Sequence, residues 1–291
     1  MLNYIKPKLL FNLILLVGAL YTSYSCANVY ETMYPILLEA SQGGAYVNPN
    51  QEELRQSEAL FLQLFQGKQN NKLKQNWNKL GFEVEAFDET GERFLLIREK
   101  KDRKEGRGFY LFRMDLKGNT LQAPHSFHDR LTREIALKLF TEGSFSAASW
   151  NTLSRKKLDV VRHQDSFLMA FSRAFAKAYP SRTLIQLHGF SQSKRLSEAG
   201  KHANIIISSG TTYPSKAVQK IAHCMKKTVD HHVYISFIDI FELGGAKNTI
   251  GKMLQSLRHP GLIHLELSYG FRKALMDNPA LLIQLMDCLE E

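Results

Sequence analysis

The chain has 291 residues, 44% apolar, 23% charged and 11% aromatic, with a formal net charge of +10. That length buries a sizeable core, and the composition excludes a disordered chain or a repeat array. The positive charge favours anionic surfaces or substrates. It does not specify nucleic acid: the basic residues are scattered, apart from a run at 100–107 that reads as a solvated hairpin tip.

The N-terminus reads as a secretory signal. Lys6 and Lys8 supply the positive region, residues 9–20 the apolar region, and Ser25-Cys26-Ala27 the small residues for cleavage after Ala27. The apolar run is short for a membrane span. A lipoprotein reading through Cys26 fits less well, because Ser23, Tyr24 and Ser25 lack the small aliphatic pattern. Cleavage removes two lysines and no acid, so the charge falls from +10 to +8, and no transmembrane span remains. The expected location is the periplasm or the exterior. Cys224 and Cys288 remain and could pair there.

Residues 28–80 read as a leader and helical segment, with helices near 31–39 and at 52–65. Residues 81–291 read as one α/β domain. It opens on hairpin-like strands at 82–87, 93–98 and 108–116, each alternating apolar and polar residues. A strand then stops at Ala123-Pro124 and presents His125, Ser126, His128 and Asp129. Phe127, Leu131, Ile135 and Leu139 recur every four residues and predict a helix over 127–140, with Ser126 as N-cap and Asp129 completing a capping-box-like start. Residues 143–155 read as a loop of small and hydroxyl residues. Helices follow at 165–179, 215–227, 249–257 and 280–289, and apolar strands at 182–187, 203–208, 233–241 and 261–267. This alternation predicts a mixed, mostly parallel sheet with helices on both faces, preceded by the hairpin-rich part.

Polar clusters fall at or near strand ends: His125, His128 and Asp129, then His188, then His264 and Glu266. Imidazole and carboxylate ligands suit zinc, which needs three protein ligands for a catalytic site. His125, His188 and either His128 or Asp129 could hold it, with Glu266 as general base. By alternation His264 and Glu266 share one face of their strand. Each has a plainer explanation: Asp129 as a helix-capping carboxylate, His128 as a solvated first-turn residue. Arg155 and Arg162 could grip a substrate carboxylate. Asn248 could donate to a substrate, or cap the next helix. His231-His232 reads as a loop. No Gly-x-Ser-x-Gly elbow and no phosphate-binding glycine loop occurs.

Pro124-His125-Ser126, Asp159-x-x-Arg162, Leu187-His188 and His264-Leu265-Glu266-Leu267 fall in an order that resembles the N-formylglutamate amidohydrolases and the related zinc carboxypeptidase-like hydrolases. The resemblance covers roughly residues 121–291. It implies His125 and His188 as zinc ligands, a carboxylate shortly after His125 as another, Glu266 as the base and Arg162 as a carboxylate anchor. Phe127 replaces the family's Gly, Val161 its Asn, and Gly189 the Ser after His188. The expectation is an exported zinc-dependent amidohydrolase or metallopeptidase acting on an anionic amide or peptide. The alternative is a non-catalytic protein that binds an anionic ligand or partner protein on the same scaffold.

Overall fold

The computed structural model describes residues 29–40, 45–89, 91–259 and 261–290; the expected signal sequence lies outside them. In chain order the elements are α1 (Val29–Ala40), α2 (Gln51–Phe65), α3 (Asn71–Lys79), β1 (Phe82–Glu89), β2 (Glu92–Glu99), β3 (Phe109–Arg113), β4 (Thr120–Ala123), α4 (Thr132–Glu142), β5 (Ala147–Trp150), α5 (Phe167–Ala178), β6 (Leu184–Phe190), α6 (Glu198–His202), β7 (Ile205–Ser208), α7 (Lys216–Thr228), β8 (Val233–Ile235), α8 (Thr249–Ser256), β9 (Leu262–Ser268), α9 (Tyr269–Asp277) and α10 (Pro279–Glu290). Short 3-10 turns span Val160–Arg162 and Gln192–Lys194.

The strands form one mixed sheet in the order β1-β2-β3-β5-β4-β6-β9-β7-β8. The β1–β2 hairpin and β3 pair antiparallel and join the rest through β5. From β4 onward the pairing is mostly parallel, as the alternation of strands and helices predicts. The β7–β9 pair is antiparallel.

Because side chains alternate across a strand, the sheet sorts its residues into two cores. On one face Leu121, Ile185, Leu187, Ile263, Leu265 and Leu267 pack under α1, α4, α7, α9 and α10. On the other, Leu184, Leu262, Tyr110 and Phe112 pack under α2, α3, α5 and α8. Phe61 of α2 anchors this second core, its ring 4.7 Å from Trp77 and Tyr110 and 5.3 Å from Phe171. A small separate cluster of Phe190, Ala203, Ile206 and Ile240 covers the far end of the same face. Between the two apolar patches the second face is polar, and the cleft lies there.

Four expectations change. Residues 143–155 contain β5, a central strand paired to both β3 and β4. Its Ala147, Ala148 and Ser149 are weak strand formers, so the neighbouring ladders, and not local propensity, make it a strand. The strand expected over 233–241 stops at Ile235. Asp239 Oδ2 accepts from the Ile235 N–H at 2.8 Å, and Phe237 takes a positive φ of 67°. The run at 100–107 is solvated only at its start. Arg107 is buried, with Nη1 2.9 Å from Glu53 and Nε 2.7 Å from Glu105. α4 begins at Thr132 and not at Phe127. Ser126 Oγ donates back to Ala123 O, and Leu131 at the helix entry has φ 71° with no side-chain cap.

Candidate metal centre and cleft

The late start of α4 has a local cause. The Asp129 carboxylate, expected to cap the helix, instead accepts from the Gly189 N–H at 3.0 Å and lies 3.3 Å from His125 Nδ1. Capping is traded for bringing the β4 and β6 loops together. Gly189 permits this closeness: a Cβ there would collide with the buried Arg272 guanidinium, which donates to the carbonyls of Arg130, Ser268 and Phe190.

Strand register sets the rest. Gln122 of β4 pairs across to Gln186 of β6, Gln186 to His264 of β9, and His264 to Ser208 of β7. Two residues further along, His188 pairs with Glu266. These side chains share the second face, so one polar row crosses four strands with His188 and Glu266 above it.

His125 Nδ1 and His188 Nδ1 face each other at 3.1 Å, and Asp129 Oδ2 is 3.3 Å and 3.9 Å from them. Two ring nitrogens this close need either an N–H of one ring donated to the other or a metal ion between them. Both outer nitrogens have acceptors: His125 Nε2 is 3.0 Å from Asp159 Oδ1, and His188 Nε2 is 3.5 Å from Gln186 Oε1. Donation outward from Nε2 leaves each Nδ1 lone pair aimed inward. All three residues are buried. A tetrahedral zinc with bonds of about 2.0–2.1 Å has ligand–ligand edges of roughly 3.3 Å. The spacing of these three donors therefore fits a small metal ion.

Charge follows the same pattern. Burial alone would lower the His125 pKa, but its bonds to Asp129 and Asp159 outweigh that and raise it. Burial would raise Asp159, yet His125 and Arg155 pull it down to about 2. His188 is pushed well below its ordinary value by burial and by His264 and His125. His264 falls to about 4, through burial and the charge of His125. Its ring lies 4.5 Å from that of His188, and its Nε2 is 3.8 Å from Glu266 Oε1. Burial, then the charge of Asp129, raises Glu266 to about 8.

Of the expected residues, His125, Asp129, His188 and Glu266 converge. Of His128 and Asp129, it is Asp129 whose side chain lies in the cluster. His128 is exposed on the cleft wall, one residue out of reach of the cluster. Arg155 and Arg162 line the cleft but both meet Asp159 Oδ2, Arg155 through Nε and Nη2 at 3.2 and 3.1 Å and Arg162 through Nε at 3.3 Å. Asn248 lines the cleft and also takes the capping role. Its Oδ1 caps α8 at the Ile250 and Gly251 N–H groups, and its Nδ2 donates to Gln186 Oε1 at 2.6 Å. Gln186 in turn donates to Gln122 at 2.9 Å, and Gln122 to Ser172 at 2.9 Å. Asp159 and Gln186 are neighbours of the cluster that motif reading left without a role. Alternation held a signal for Gln186: it stands two residues before His188 in an otherwise apolar strand. For Asp159 the signal was an acid bracketed by Arg155 and Arg162.

The cleft is about 850 Å³ and is lined by the cluster, His264, Glu266, Arg155, Arg162 and Asn248, with Arg130, Lys194, Arg195, Gly244, Gly245, Lys247 and Tyr269 around them. Gly245, at φ +66°, packs its backbone against the His264 ring, where a Cβ would sit 3.1 Å from the imidazole. Among the described residues no helix is long and apolar enough to cross a membrane. Cys224 and Cys288 are joined in a disulfide.

No protein-family model and no curated protein matches the chain. Among solved structures it is similar to the crystal structure of N-formylglutamate amidohydrolase from Ralstonia eutropha JMP134, with a TM-score of 0.38 and 9% sequence identity, over 59% of this chain and 92% of that one. A likeness at that level says nothing about activity.

Proposed function

We propose that the protein is an exported, zinc-dependent hydrolase that cleaves an amide or peptide bond next to a free carboxylate. The observation that carries the reading is the inward-facing pair of Nδ1 atoms with Asp129 Oδ2, each histidine backed on its other nitrogen, and Glu266 beside them. His125, Asp129 and His188 would hold the metal. Zinc there would polarise the amide carbonyl and make a water molecule more acidic.

The chain's own groups do the rest. Asp159 and Gln186 fix the two imidazole tautomers, so that little reorganisation is needed on loading. Glu266 accepts the proton of the attacking water and returns it to the leaving nitrogen, so it ends each cycle as it began. Its pKa of about 8 belongs to the metal-free cleft. A dication close by favours the carboxylate form that a base requires. Arg162, exposed and tied to Asp159 through Nε alone, can present its outer edge to a substrate carboxylate, with Arg155 beside it. The Cys224–Cys288 disulfide suits an oxidising compartment and so supports export to the periplasm or beyond.

The test is elemental analysis of the purified protein beside His188→Ala, followed by an amide-hydrolysis screen with Glu266→Gln as control. About one zinc per chain, lost in His188→Ala, with turnover lost in Glu266→Gln, is the expected result. A protein that takes up no zinc when supplied with it defeats the reading and leaves a ligand-binding role for the cleft.

A further inference from the structure

Of the seven arginine and lysine side chains that line the cleft, Arg272 is committed to backbone carbonyls, and five of the other six fall on two sides of the cluster. Arg155, Arg162 and Lys247 belong to the side built on α8 and the Val160–Arg162 turn, where Thr249 Oγ1 donates to Val161 O at 3.0 Å. Lys194 and Arg195 belong to the side built on the Gln192–Lys194 turn and the Phe190 cluster, where Arg195 meets Glu242 at 3.3 Å. Arg130 stands at the rim with its guanidinium 5.3 Å from the Tyr269 ring centre. Acids offset this only in part. Asp159 is shared by Arg155 and Arg162, and Glu242 serves Arg195. Lys194 and Lys247 are exposed and have no carboxylate partner among the described residues.

A substrate with one carboxylate would be met by one of these sides, leaving the other uncompensated beside a metal-binding cluster. From the two-sided placement we infer that the preferred substrate is an amide carrying a carboxylate on both its acyl side and its amine side, as in an acidic peptide. The inference rests on the proposed amide chemistry and specifies its substrate. Each carboxylate is drawn to one side, and the scissile amide spans the gap over His188 and Glu266.

The experiment separates binding from cleavage. Zinc-loaded Glu266→Gln protein is titrated calorimetrically with four small amides: N-succinylglycine, with carboxylates on both sides; N-acetylglycine and N-ethylsuccinamate, with one each; and N-ethylacetamide, with none. Affinity should fall roughly threefold to fivefold for each carboxylate removed, the range of an exposed charge pair. The differences should shrink as salt is raised from about 20 mM to about 300 mM. Lys194→Glu and Lys247→Glu, both exposed and checked for unchanged melting temperature, should each erase the contribution of a different carboxylate. Equal affinity for all four amides, or two reversals that weaken every ligand alike, overturns the inference. Turnover by wild-type protein is the separate arm. Cleavage without ranking keeps the hydrolase and discards the two-sided preference; ranked binding without cleavage does the reverse.

Discussion

Two of the histidine-and-acid clusters among the described residues share no member, invite the same reading and differ in what surrounds them. His125, Asp129 and His188 come from two strand ends about 60 residues apart and are buried. Asp230, His231 and His232 are consecutive and at most half-buried, though their donor atoms also fall within ligand range. In both clusters the acid accepts an N–H: Asp129 from Gly189 at 3.0 Å, Asp230 from the His232 N–H at 2.7 Å and from Asn204 Nδ2 at 2.9 Å. The imidazoles of the second cluster lie with ring centres 3.9 Å apart, and His231 is exposed. In the first, each ring is braced from behind by Asp159 or Gln186. The difference teaches that orientation by the neighbours, rather than the nearness of histidines alone, is what to look for in a candidate metal site.

The contrast can be broken or sharpened experimentally. The largest effect is expected from His188→Ala, which should abolish stoichiometric zinc uptake, whereas His232→Ala should leave it unchanged. Equal losses measured by elemental analysis would erase the distinction. Glu266→Gln should keep zinc and lower turnover by about 10²–10⁴-fold, the usual worth of a general base. Asp159→Asn keeps shape and removes charge, so a competition titration should show zinc affinity falling about 10–100-fold. A wild-type affinity there would mean that the bracing carboxylate is only structural.

Two smaller effects concern stability. The disulfide joins the end of α7 to α10 across 64 residues, near the second cluster. Cys288→Ser should lower unfolding free energy by about 2–4 kcal/mol, measured in denaturant, with zinc content unaltered. Glu266 supplies a pH dependence in the metal-free protein. Its folded pKa is raised to about 8 from 4.5, so between those values the folded state holds the proton and the unfolded state does not. Stability is therefore lost as pH rises from about 4.5 to about 8, and is level beyond. Metal-free Glu266→Gln should lack that slope, and zinc loading should weaken it in the wild type. Parallel curves for the two metal-free proteins would show that Glu266 ionises freely.

Much of the site could be read in the sequence because the chemistry is confined to few residues. His125 and His188 stand out at the ends of apolar strands, and alternation correctly puts His264 and Glu266 on one face. The residues that misled did so for physical reasons. The four-residue spacing from Phe127 extends the helix signal a turn too far, because Asp129 serves Gly189 and His125 instead of the helix start. Asn248 reads as a substrate donor or a helix cap, and the structure shows the cap, with Nδ2 also donating to Gln186. β5 is invisible locally, because Ala and Ser become a strand only when β3 and β4 pair with them.

The sequence by itself determined the alternation of strands and helices, the apolar layers and the short menu of metal-ligating side chains. These depend on periodicity and on side-chain chemistry, which are local. Only the tertiary structure decided that Asp129 rather than His128 joins the cluster, that Asp159 and Gln186 brace the rings, and that the cations fall on two sides of the cleft. Those outcomes depend on strand order and register. A shift of one residue between β6 and β9 would turn Glu266 away from His188, and nothing within either strand fixes that pairing.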